Sequence, residues 1–345
     1  MKELKLAMLG FGNAGKAFAK MLTDKQKEIN EKYGTIVKVV AITTNSRGCI
    51  IDENGIDLVK ACNDVETTGK FGQDTLGLTS VTSFEVIENV NYDVLIELTP
   101  LEIFTGQPAI NHIKGAFSRG KNVITANKGP IAWAFNELKD MAKKQNCLFF
   151  YETTVMDGTP IFNLVEHTLK FCKVTEVSGI LNSTTNYILE ELAMGKEYDD
   201  VIAAGKKLGF IEANPAMDIE GYDAAAKVTA LLNVLMDAGI TPNDVDRTGI
   251  ENITVDDIKA AATRGNVIKL ICKGTLESGK VVATVKPVEI SKSDLLASID
   301  GTSSVVAITT DLMGKLSIVE HGPEIEQTAY GVFGDTIRIL DELIN

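Results

Sequence analysis

Five of the six residues at positions 4–9 are apolar, with Lys5 as the exception, and a glycine-rich turn follows at once. The run predicts a buried strand, and the apolar spacing after the turn predicts a helix that begins near Lys16 and is extended by residues 23–34. Further aliphatic runs predict strands at 36–42, 92–97, 122–125, 147–151, 174–181, 281–290 and 304–310. Helices are expected from Ile161, from Tyr187, over 222–239, and through Leu343 at the end of the chain. This order predicts a parallel α/β sheet first and an α+β arrangement later.

The turn after the first strand has the pattern GxGxxG. It reads GFGNAG at residues 10–15, and the candidate cofactor-binding residues in it are Gly10, Gly12, Asn13, Ala14 and Gly15. In a dinucleotide-binding fold the first glycine permits the tight turn, the second lets the backbone approach a pyrophosphate, and the third allows close packing of the helix. The order of strand, glycine turn and helix therefore predicts a bound dinucleotide at the helix N-terminus, with a ligand-free turn as the alternative.

The second predicted strand ends in a polar segment without a carboxylate. NAD-specific folds usually place an acidic residue there, which binds the ribose hydroxyls. Here Ser46 and Arg47 occupy the segment, and both suit a 2′-phosphate. We therefore expect NADP(H) to be preferred over NAD(H), with a solvent-facing arginine as the alternative.

Two later strands of the same half also end in polar residues. Thr99 and Pro100 follow one of these strands, and Asn127 and Lys128 follow the other. The carboxyl ends of parallel strands share one edge of the sheet, where ligands bind in open α/β folds. Lys128 is therefore a candidate for the reaction centre, and a surface loop lysine is the alternative.

A single lysine lies in the most apolar predicted helix. Lys227 is the only cation between Lys207 and Arg247, and Asp223 precedes it by one helical turn on the same face. The loop that leads into this helix contains three more carboxylates, those of Glu212, Asp218 and Glu220. Such a group suits an ammonium-bearing ligand and leaves Lys227 to handle a proton. A structural ion pair at the helix start is the alternative.

Two loops of the second half suit other ligands. Residues 182–186, NSTTN, gather hydroxyls and amides at a helix N-terminus, which favours a carboxylate such as that of an amino acid. The turn from Glu152 to Pro160 is rich in main-chain oxygens that are able to hold a hard cation. Ordinary N-capping and a plain domain crossover are the respective alternatives.

Composition narrows the class of protein. The 345 residues are 45% hydrophobic and 23% charged, which is typical of a chain with two domain cores. A net charge of -13 argues against nucleic acid as a partner. The five scattered cysteines indicate reduced thiols in the cytoplasm, with neither a disulfide framework nor a zinc site. We find neither a signal peptide nor a stretch long and apolar enough to span a membrane.

Five segments occur in the order and approximate spacing typical of homoserine dehydrogenases. They are GFGNAG, TANKGP, GILNSTTNYIL, LGFIEANPAMDIEGYDAAAKV and GPEIEQTAYGVFGD. The chain thus resembles this family over nearly its whole length, in the short form without a regulatory ACT domain. The resemblance implies reversible reduction of L-aspartate 4-semialdehyde to L-homoserine with NADPH or NADH, in the biosynthesis of threonine and methionine.

The resemblance also implies a domain plan and residue roles. It implies a Rossmann-type dinucleotide-binding domain at 1–150, completed by about 322–345, and an α+β domain at 151–321 that binds the amino-acid substrate and pairs two subunits into a homodimer. Lys128 and Lys227 match the two lysines of the reaction centre, and Asp223 supports Lys227. The implied substrate residues are Gly179, Thr184, Glu212, Asp218 and Lys227. The implied site for a monovalent cation, sodium or potassium, comprises Glu152, Val155, Asp157 and Thr159.

The chain departs from the family pattern at several of these positions. The usual EASVGGGIP of the cation turn is ETTVMDGTP here, and the usual NGT is Asn182-Ser183-Thr184. Asn214 stands where an aspartate is common, and Glu324 replaces the last glycine of the final GPG turn near the cofactor. Two alternatives stay open: an NADP-linked oxidoreductase for a related small amino-acid or hydroxy-acid substrate, and a nucleotide-sensing protein that has lost the chemistry.

Overall fold

A computed structural model describes residues 2–209, 211 and 214–344 of the chain. It divides into two compact units, Met1–Pro160 with Glu324–Asn345, and Ile161–Pro323. Residues 151–160, which the sequence analysis places in the second domain, lie in the first unit. No helix within the described residues is long and apolar enough to cross a membrane.

The first unit contains a seven-stranded sheet in the order β4-β3-β2-β1-β5-β6-β7. The five neighbouring strands β2, β1, β5, β6 and β7 pair in parallel. Strands β3 and β4 extend the sheet beyond β2 as antiparallel partners. The strands are β1 Lys2–Leu9, β2 Thr35–Thr43, β3 Cys49–Ile51, β4 Leu78–Thr79, β5 Val94–Glu97, β6 Asn122–Thr125 and β7 Phe149–Phe150. The predicted Rossmann-type sheet is confirmed, although β7 is shorter than the predicted strand at 147–151.

Helices cover both faces of this sheet. They are α1 Asn13–Tyr33, α2 Leu58–Thr68, α3 Ser83–Asn89, α4 Ala109–Ser118, α5 Lys128–Lys144 and the C-terminal α12 Ile325–Ile344. Along β1, Leu6 and Met8 join the core under α1, α2 and α12, while Ala7 and Leu9 join the core under α3, α4 and α5. Side chains of a strand alternate between its faces, so a strand buried on both sides has a continuous apolar run.

The first helix has the length that its sequence predicts. It runs for 21 residues and ends at Gly34, whose φ of 61° places it in the left-handed region. The Gly34 N–H donates to Asn30 O and satisfies one of the last carbonyls of the helix. The predicted extension through residues 23–34 is confirmed.

The second unit contains a six-stranded sheet in the order β13-β12-β8-β10-β11-β9. Its pairs are antiparallel except that of β11 with β9. The strands are β8 Val174–Ile180, β9 Asp246–Arg247, β10 Asn266–Glu277, β11 Lys280–Ser291, β12 Ser304–Thr310 and β13 Gly314–Glu320. The helices are α6 Ile161–Thr168, α7 Ser183–Ala193, α8 Tyr198–Leu208, α9 Ala216–Ile219, α10 Tyr222–Met236 and α11 Val255–Thr263. The predicted α+β arrangement is confirmed.

The apolar helix α10 packs on β8, β10 and β11. Nine of its fifteen residues are buried, which explains why the helix has apolar side chains on nearly all of its faces. Gly274 of β10 lies beneath Leu232, and a Cβ at that position would overlap the leucine side chain. This close approach fixes α10, and with it Asp223 and Lys227, against the sheet.

Candidate active site

The glycine turn has the geometry that a dinucleotide needs. Gly10 has a φ of 102°, and an added Cβ would overlap the carbonyl oxygen of Leu98, so only glycine fits this position. Gly12 is the N-cap of α1, and an added Cβ there meets no atom within 4 Å. A Cβ on Gly15 would lie 3.2 Å from the Gly10 carbonyl oxygen, which accounts for the close packing of helix on turn.

The N-terminus of α1 is suited to an anion. Among the residues that the structure describes, no side chain makes an N-cap hydrogen bond to α1, and the first turn of this helix contains no acidic residue. Asn13 and Ala14 supply the first N–H groups of the helix, which carry the positive end of the helix dipole. The residues present therefore fit the pyrophosphate of a dinucleotide.

A cleft opens where β1, β2 and β5 end. In the part of the chain that the structure describes, no aspartate or glutamate lines it. The lining residues are Gly10, Phe11, Gly12, Thr43, Thr44, Asn45, Ser46, Arg47, Ser83, Leu98, Thr99 and Pro100. These include six of the twelve residues that the sequence predicts for the cofactor, and the six come from three separate segments of the chain.

The segment after β2 brings a cation to this cleft. Ser46 is exposed, while Arg47 is half-buried and its Nη1 donates to Phe11 O at 3.0 Å. The main-chain N–H of Arg47 donates to Thr44 Oγ1 at 2.8 Å, which closes the turn. Arg47 is thus tied to the glycine turn instead of extending into solvent. A neighbouring cleft, lined by Ser46, Arg47 and Lys70, adds a second positive charge.

The strand ends at β5 and β6 are joined by Asn127. Its Nδ2 donates to Thr99 O at 3.1 Å, and its Oδ1 accepts from Gly129 N at 3.0 Å as the N-cap of α5. Asn127 is buried, and its side chain positions Thr99 and the start of α5 by these two hydrogen bonds. Lys128 follows as the first residue of α5 and is half-buried.

Glu324 lies just before α12, at the edge of the first unit. Its side chain is exposed, and its N–H donates to Gln327 Oε1 at 2.9 Å. The glutamate is therefore accommodated at the position where the family pattern has glycine.

In the second unit, Asn182 joins the acidic segment to the start of α7. Its Nδ2 donates to Asp218 Oδ1 at 2.6 Å and to Asp223 Oδ2 at 2.9 Å. Its Oδ1 accepts from Thr185 N at 2.8 Å, which starts α7 at Ser183, four residues before the predicted Tyr187. The amide thus fixes two carboxylates from α9 and α10 beside one helix N-terminus.

Lys227 completes this cluster. Its Nζ donates to Leu181 O at 2.8 Å and lies 3.3 Å from Asp223 Oδ2. The side chains of Lys227 and Asp223 are 19% and 14% exposed, so both charges are largely removed from water and depend on each other. The structure brings Asp218, Asp223 and Lys227 together. Asn182 joins them, a contact that its place in the predicted 182–186 loop does not indicate.

A thiol also lies near Lys227. Cys272 of β10 is buried, and burial raises the pKa of its thiol to about 12. Because the thiolate is the nucleophilic form, this cysteine is unreactive at neutral pH. The geometry therefore favours chemistry by the lysine and carboxylates.

The remaining substrate residues differ in their surroundings. Thr184 is buried in the first turn of α7. Gly179 lies in β8, inside the strand predicted at 174–181, between Cys272 and Val306 of the adjoining strands. A Cβ on Gly179 would overlap Val305 O, so close strand pairing requires the glycine. Glu212 lies outside the described residues. Asn214 Oδ1 accepts from Ala216 N at 3.2 Å, a turn contact that aspartate makes equally well.

The turn with the predicted cation residues lies in the first unit. It begins with a short 3-10 helix, Glu152–Thr154, and Glu152 N donates to Asp335 Oδ2 at 3.0 Å. Asp157 has a φ of 41°, and its Oδ1 accepts from Thr328 Oγ1. Val155 is buried, and Thr159 N donates to Met156 O at 2.8 Å.

Two carboxylates are buried beside this turn. Glu152 is 4% exposed and Asp335 is 1% exposed. Burial raises the pKa of Asp335 to about 7, against the opposing effect of the Glu152 N–H. Within the described residues, no three side chains of His, Cys, Asp or Glu form a group able to hold a metal ion. A cation here would need main-chain oxygens in addition to the side chains.

Comparisons with known proteins agree across both units. A family model described as Homoserine dehydrogenase matches residues 160–337, and a second, described as Homoserine dehydrogenase, NAD binding domain, matches residues 10–152. A Methanocaldococcus jannaschii homoserine dehydrogenase is 38% identical over 97% of this chain and 98% of its own length.

Two further relatives differ in the cofactor that their names give. A Pseudomonas canavaninivorans protein, named NAD(+)-dependent homoserine dehydrogenase, is 33% identical over 98% of this chain and 97% of its own length. A hyperthermophilic archaeal homoserine dehydrogenase solved in complex with NADPH is 29% identical, with a TM-score of 0.82 over 97% of each chain.

Proposed function

The chain belongs to the homoserine dehydrogenase family and is an NAD(P)-dependent oxidoreductase, and from this premise we propose how its residues divide the work. The first unit binds the dinucleotide, and the second binds the amino acid. The family predicted from the sequence is confirmed. The observation that carries the proposal is the cluster in which Asn182 holds Asp218 and Asp223 beside Lys227.

The first unit supplies the groups that hold the dinucleotide. We assign the pyrophosphate to the N–H groups at the start of α1, with Gly10 and Gly12 giving it room, and the turn at Thr99 and Pro100 to the same ligand. When bound, the nicotinamide accepts a hydride from C4 of homoserine, or returns one to the aldehyde. Lys128, at the start of α5, is assigned to the reacting oxygen.

The second unit supplies the groups that hold and deprotonate the amino acid. Asp218, together with Glu212, is assigned to the substrate ammonium, and the N-terminus of α7 near Thr184 is assigned to its carboxylate. As homoserine is oxidised, its hydroxyl proton passes to Lys227, directly or through water, and reduction returns that proton to the alkoxide. Asp223 stabilises the charged amine after the transfer.

An assay with several substrates tests this function. We expect homoserine to be oxidised with NADP⁺ or NAD⁺ at a kcat/KM far above that for serine, threonine or small hydroxy acids. Faster turnover of one of these other compounds would establish the alternative substrate class. Tight dinucleotide binding without turnover of any of them would establish a sensing role.

We propose that NADP(H) is preferred over NAD(H). Arg47, Ser46 and Lys70 support this, because they place positive charge and a hydroxyl at two neighbouring clefts that no aspartate or glutamate of the described residues lines. The relatives do not decide it, since one is named NAD(+)-dependent and another was solved with NADPH.

Replacing Ser46 with aspartate is expected to reverse this preference. The new carboxylate repels a 2′-phosphate and accepts hydrogen bonds from a free ribose, so KM for NADP⁺ should rise about tenfold or more while KM for NAD⁺ stays equal or falls. The measurement is initial-rate kinetics with both cofactors. Asn63→Asp on the exposed side of α2 is the control, because it adds the same charge elsewhere. An unchanged ratio of the two KM values in Ser46→Asp would contradict the assignment.

We also propose that the turn containing Glu152, Val155, Asp157 and Thr159 binds sodium or potassium. Glu152 of this turn and the neighbouring Asp335 support this, because a cation would offset the repulsion between these two buried carboxylates. Turnover and Tm should therefore both rise when tetramethylammonium chloride is replaced by sodium or potassium chloride at equal ionic strength. Equal Tm values in all three salts would contradict a bound cation.

Assembly and location complete the proposal. Val282 and Val288 of β11 are exposed apolar residues on the second sheet, which supports a homodimer formed by this unit. Light scattering of the native enzyme tests that state, and a monomeric mass would contradict it. A cytoplasmic location is supported by the five unpaired cysteines, and cell fractionation tests it.

A further inference from the structure

Glu97 is a buried carboxylate at the end of β5 that the proposed reaction does not use. It is fully buried, and its Oε1 accepts from the N–H of Thr99 at 3.2 Å and from the Thr99 hydroxyl. The ring of His112, also buried, approaches the same oxygen with Nδ1 at 3.5 Å. Thr99 and His112 thus approach the same oxygen of Glu97, and Thr99 lines the cofactor cleft.

These contacts fix Thr99 completely. Glu97 accepts hydrogen bonds from the N–H and the hydroxyl of Thr99, and Asn127 Nδ2 donates to the carbonyl oxygen of Thr99 at 3.1 Å. These hydrogen bonds hold Thr99 in one orientation. Thr99 and Pro100 both line the cleft. The preceding residue, Leu98, is the one whose carbonyl excludes a side chain at Gly10. The glycine turn and the Thr99 turn consequently depend on the same strand end.

Burying the Glu97 carboxylate beside His112 costs free energy, and packing alone does not explain why it is buried there. Glu97 Oε2 is buried and has no hydrogen-bond partner within the described residues. A buried carboxylate oxygen without a donor is unfavourable, and an apolar side chain generally serves better where only packing is required. Such a group in a native protein calls for another explanation, such as a functional role.

His112 is held in place from its other side. The ring of Phe84 packs on it with centroids 4.9 Å apart, and the neighbouring Ser83 Oγ lies 2.7 Å from Thr43 Oγ1 at the end of β2. His112 itself comes from α4, beneath the sheet edge. The pair therefore connects α4, α3 and two strand ends around the cleft.

We propose that Glu97 and His112 are positioning residues for the dinucleotide, which act by holding Thr99 in the orientation that the ligand requires. This inference rests on the proposed function of the first unit as the cofactor-binding unit. Neither residue lines the cleft, so neither is expected to touch the ligand. Their effect should therefore appear in the affinity for the dinucleotide and leave the affinity for homoserine unchanged.

The test compares two substitutions of Glu97 with one of Asp93. Glu97→Leu removes the acceptor, whereas Glu97→Gln keeps a carbonyl oxygen for Thr99. Asp93→Asn is the control, because Asp93 adjoins the opposite end of β5 and its Oδ2 accepts from Lys5 N at 2.8 Å. The measurements are Kd by calorimetry for whichever of NADP⁺ and NAD⁺ the native enzyme binds more tightly, KM for homoserine, and Tm.

We expect Glu97→Leu to raise Kd for the dinucleotide about tenfold or more, because the carboxylate that accepts hydrogen bonds from Thr99 is lost. Glu97→Gln should restore Kd to within about threefold of the native value, and Asp93→Asn should leave it unchanged. KM for homoserine should stay the same in all three. If Glu97→Leu does not fold, His112→Phe provides the second variant, because it removes the ring nitrogen beside Glu97 Oε1 and keeps both Glu97 and Thr99; its Kd should also rise.

A native Kd in Glu97→Leu, or equal changes in Glu97→Leu and Asp93→Asn, would overturn the proposal. So would failure of Glu97→Gln to restore binding where Glu97→Leu has lost it. For His112→Phe, an unchanged Kd has the same meaning. Because Kd is measured without homoserine, these outcomes are distinct from failure of the proposed function, which would appear as a native enzyme that binds dinucleotide but does not oxidise homoserine.

Discussion

Replacing Lys227 with methionine is expected to lower kcat for homoserine oxidation about a thousandfold or more, because the amine that accepts the hydroxyl proton and stabilises the alkoxide is lost. Methionine keeps much of the apolar length of lysine, so α10 should remain packed on its sheet. KM for the dinucleotide should change less than about twofold, since Lys227 lies in the second unit and the loss concerns the chemical step.

The measurement is steady-state kinetics with both substrates varied, together with Tm. Lys273→Met is the control, because Lys273 belongs to β10 of the same sheet and pairs with Glu176 at 3.0 Å on the surface. It should keep native kcat. Near-native turnover in Lys227→Met would show that another group handles the proton.

Replacing Asp218 with asparagine is expected to raise KM for homoserine about tenfold to a hundredfold, because the charged partner of the substrate ammonium is lost. The side-chain shape is conserved, and the new carbonyl oxygen still accepts from Asn182 Nδ2. Asp223→Asn should behave differently. Since Asp223 lies 3.3 Å from Lys227, its loss should mainly lower kcat and alter its pH dependence.

Asp246→Asn is the control for this pair. Asp246 is an exposed residue of the same unit, where it pairs with Lys286 at 2.5 Å. It should alter neither KM nor kcat. Equal effects of Asp218→Asn and Asp223→Asn on both constants would contradict the division of roles, and a native KM in Asp218→Asn would remove Asp218 from the substrate site.

The sequence predicts the framework of this protein well, for identifiable reasons. The apolar run of β1 and the glycine turn specify local geometry, since Gly10 needs a positive φ that few other residues adopt. The burial of α10 and the i,i+4 pairing of Asp223 with Lys227 also follow from spacing along a single helix. In these segments one short stretch contains all the interacting residues.

The sequence does not predict contacts that depend on several segments. Asn182 is recognisable as an N-cap, but its second contact, to two carboxylates more than 35 positions away, depends on the tertiary packing of α9 and α10. Gly179 is required by the close approach of β12, and Glu97 meets His112 only because α4 lies beneath β5. Hydrophobic spacing also gave no sign of β10 or β13, whose polar and exposed ends interrupt their apolar runs.

The most direct test of the account follows the hydrogen of homoserine. The two units are assigned to hold a dinucleotide and an amino acid for direct hydride transfer, with Lys227 handling only the proton. Homoserine deuterated at C4 should therefore give reduced dinucleotide with one deuterium retained, as seen by mass spectrometry, even in an excess of light water. Deuterium lost to the solvent would contradict direct transfer, and with it the central claim.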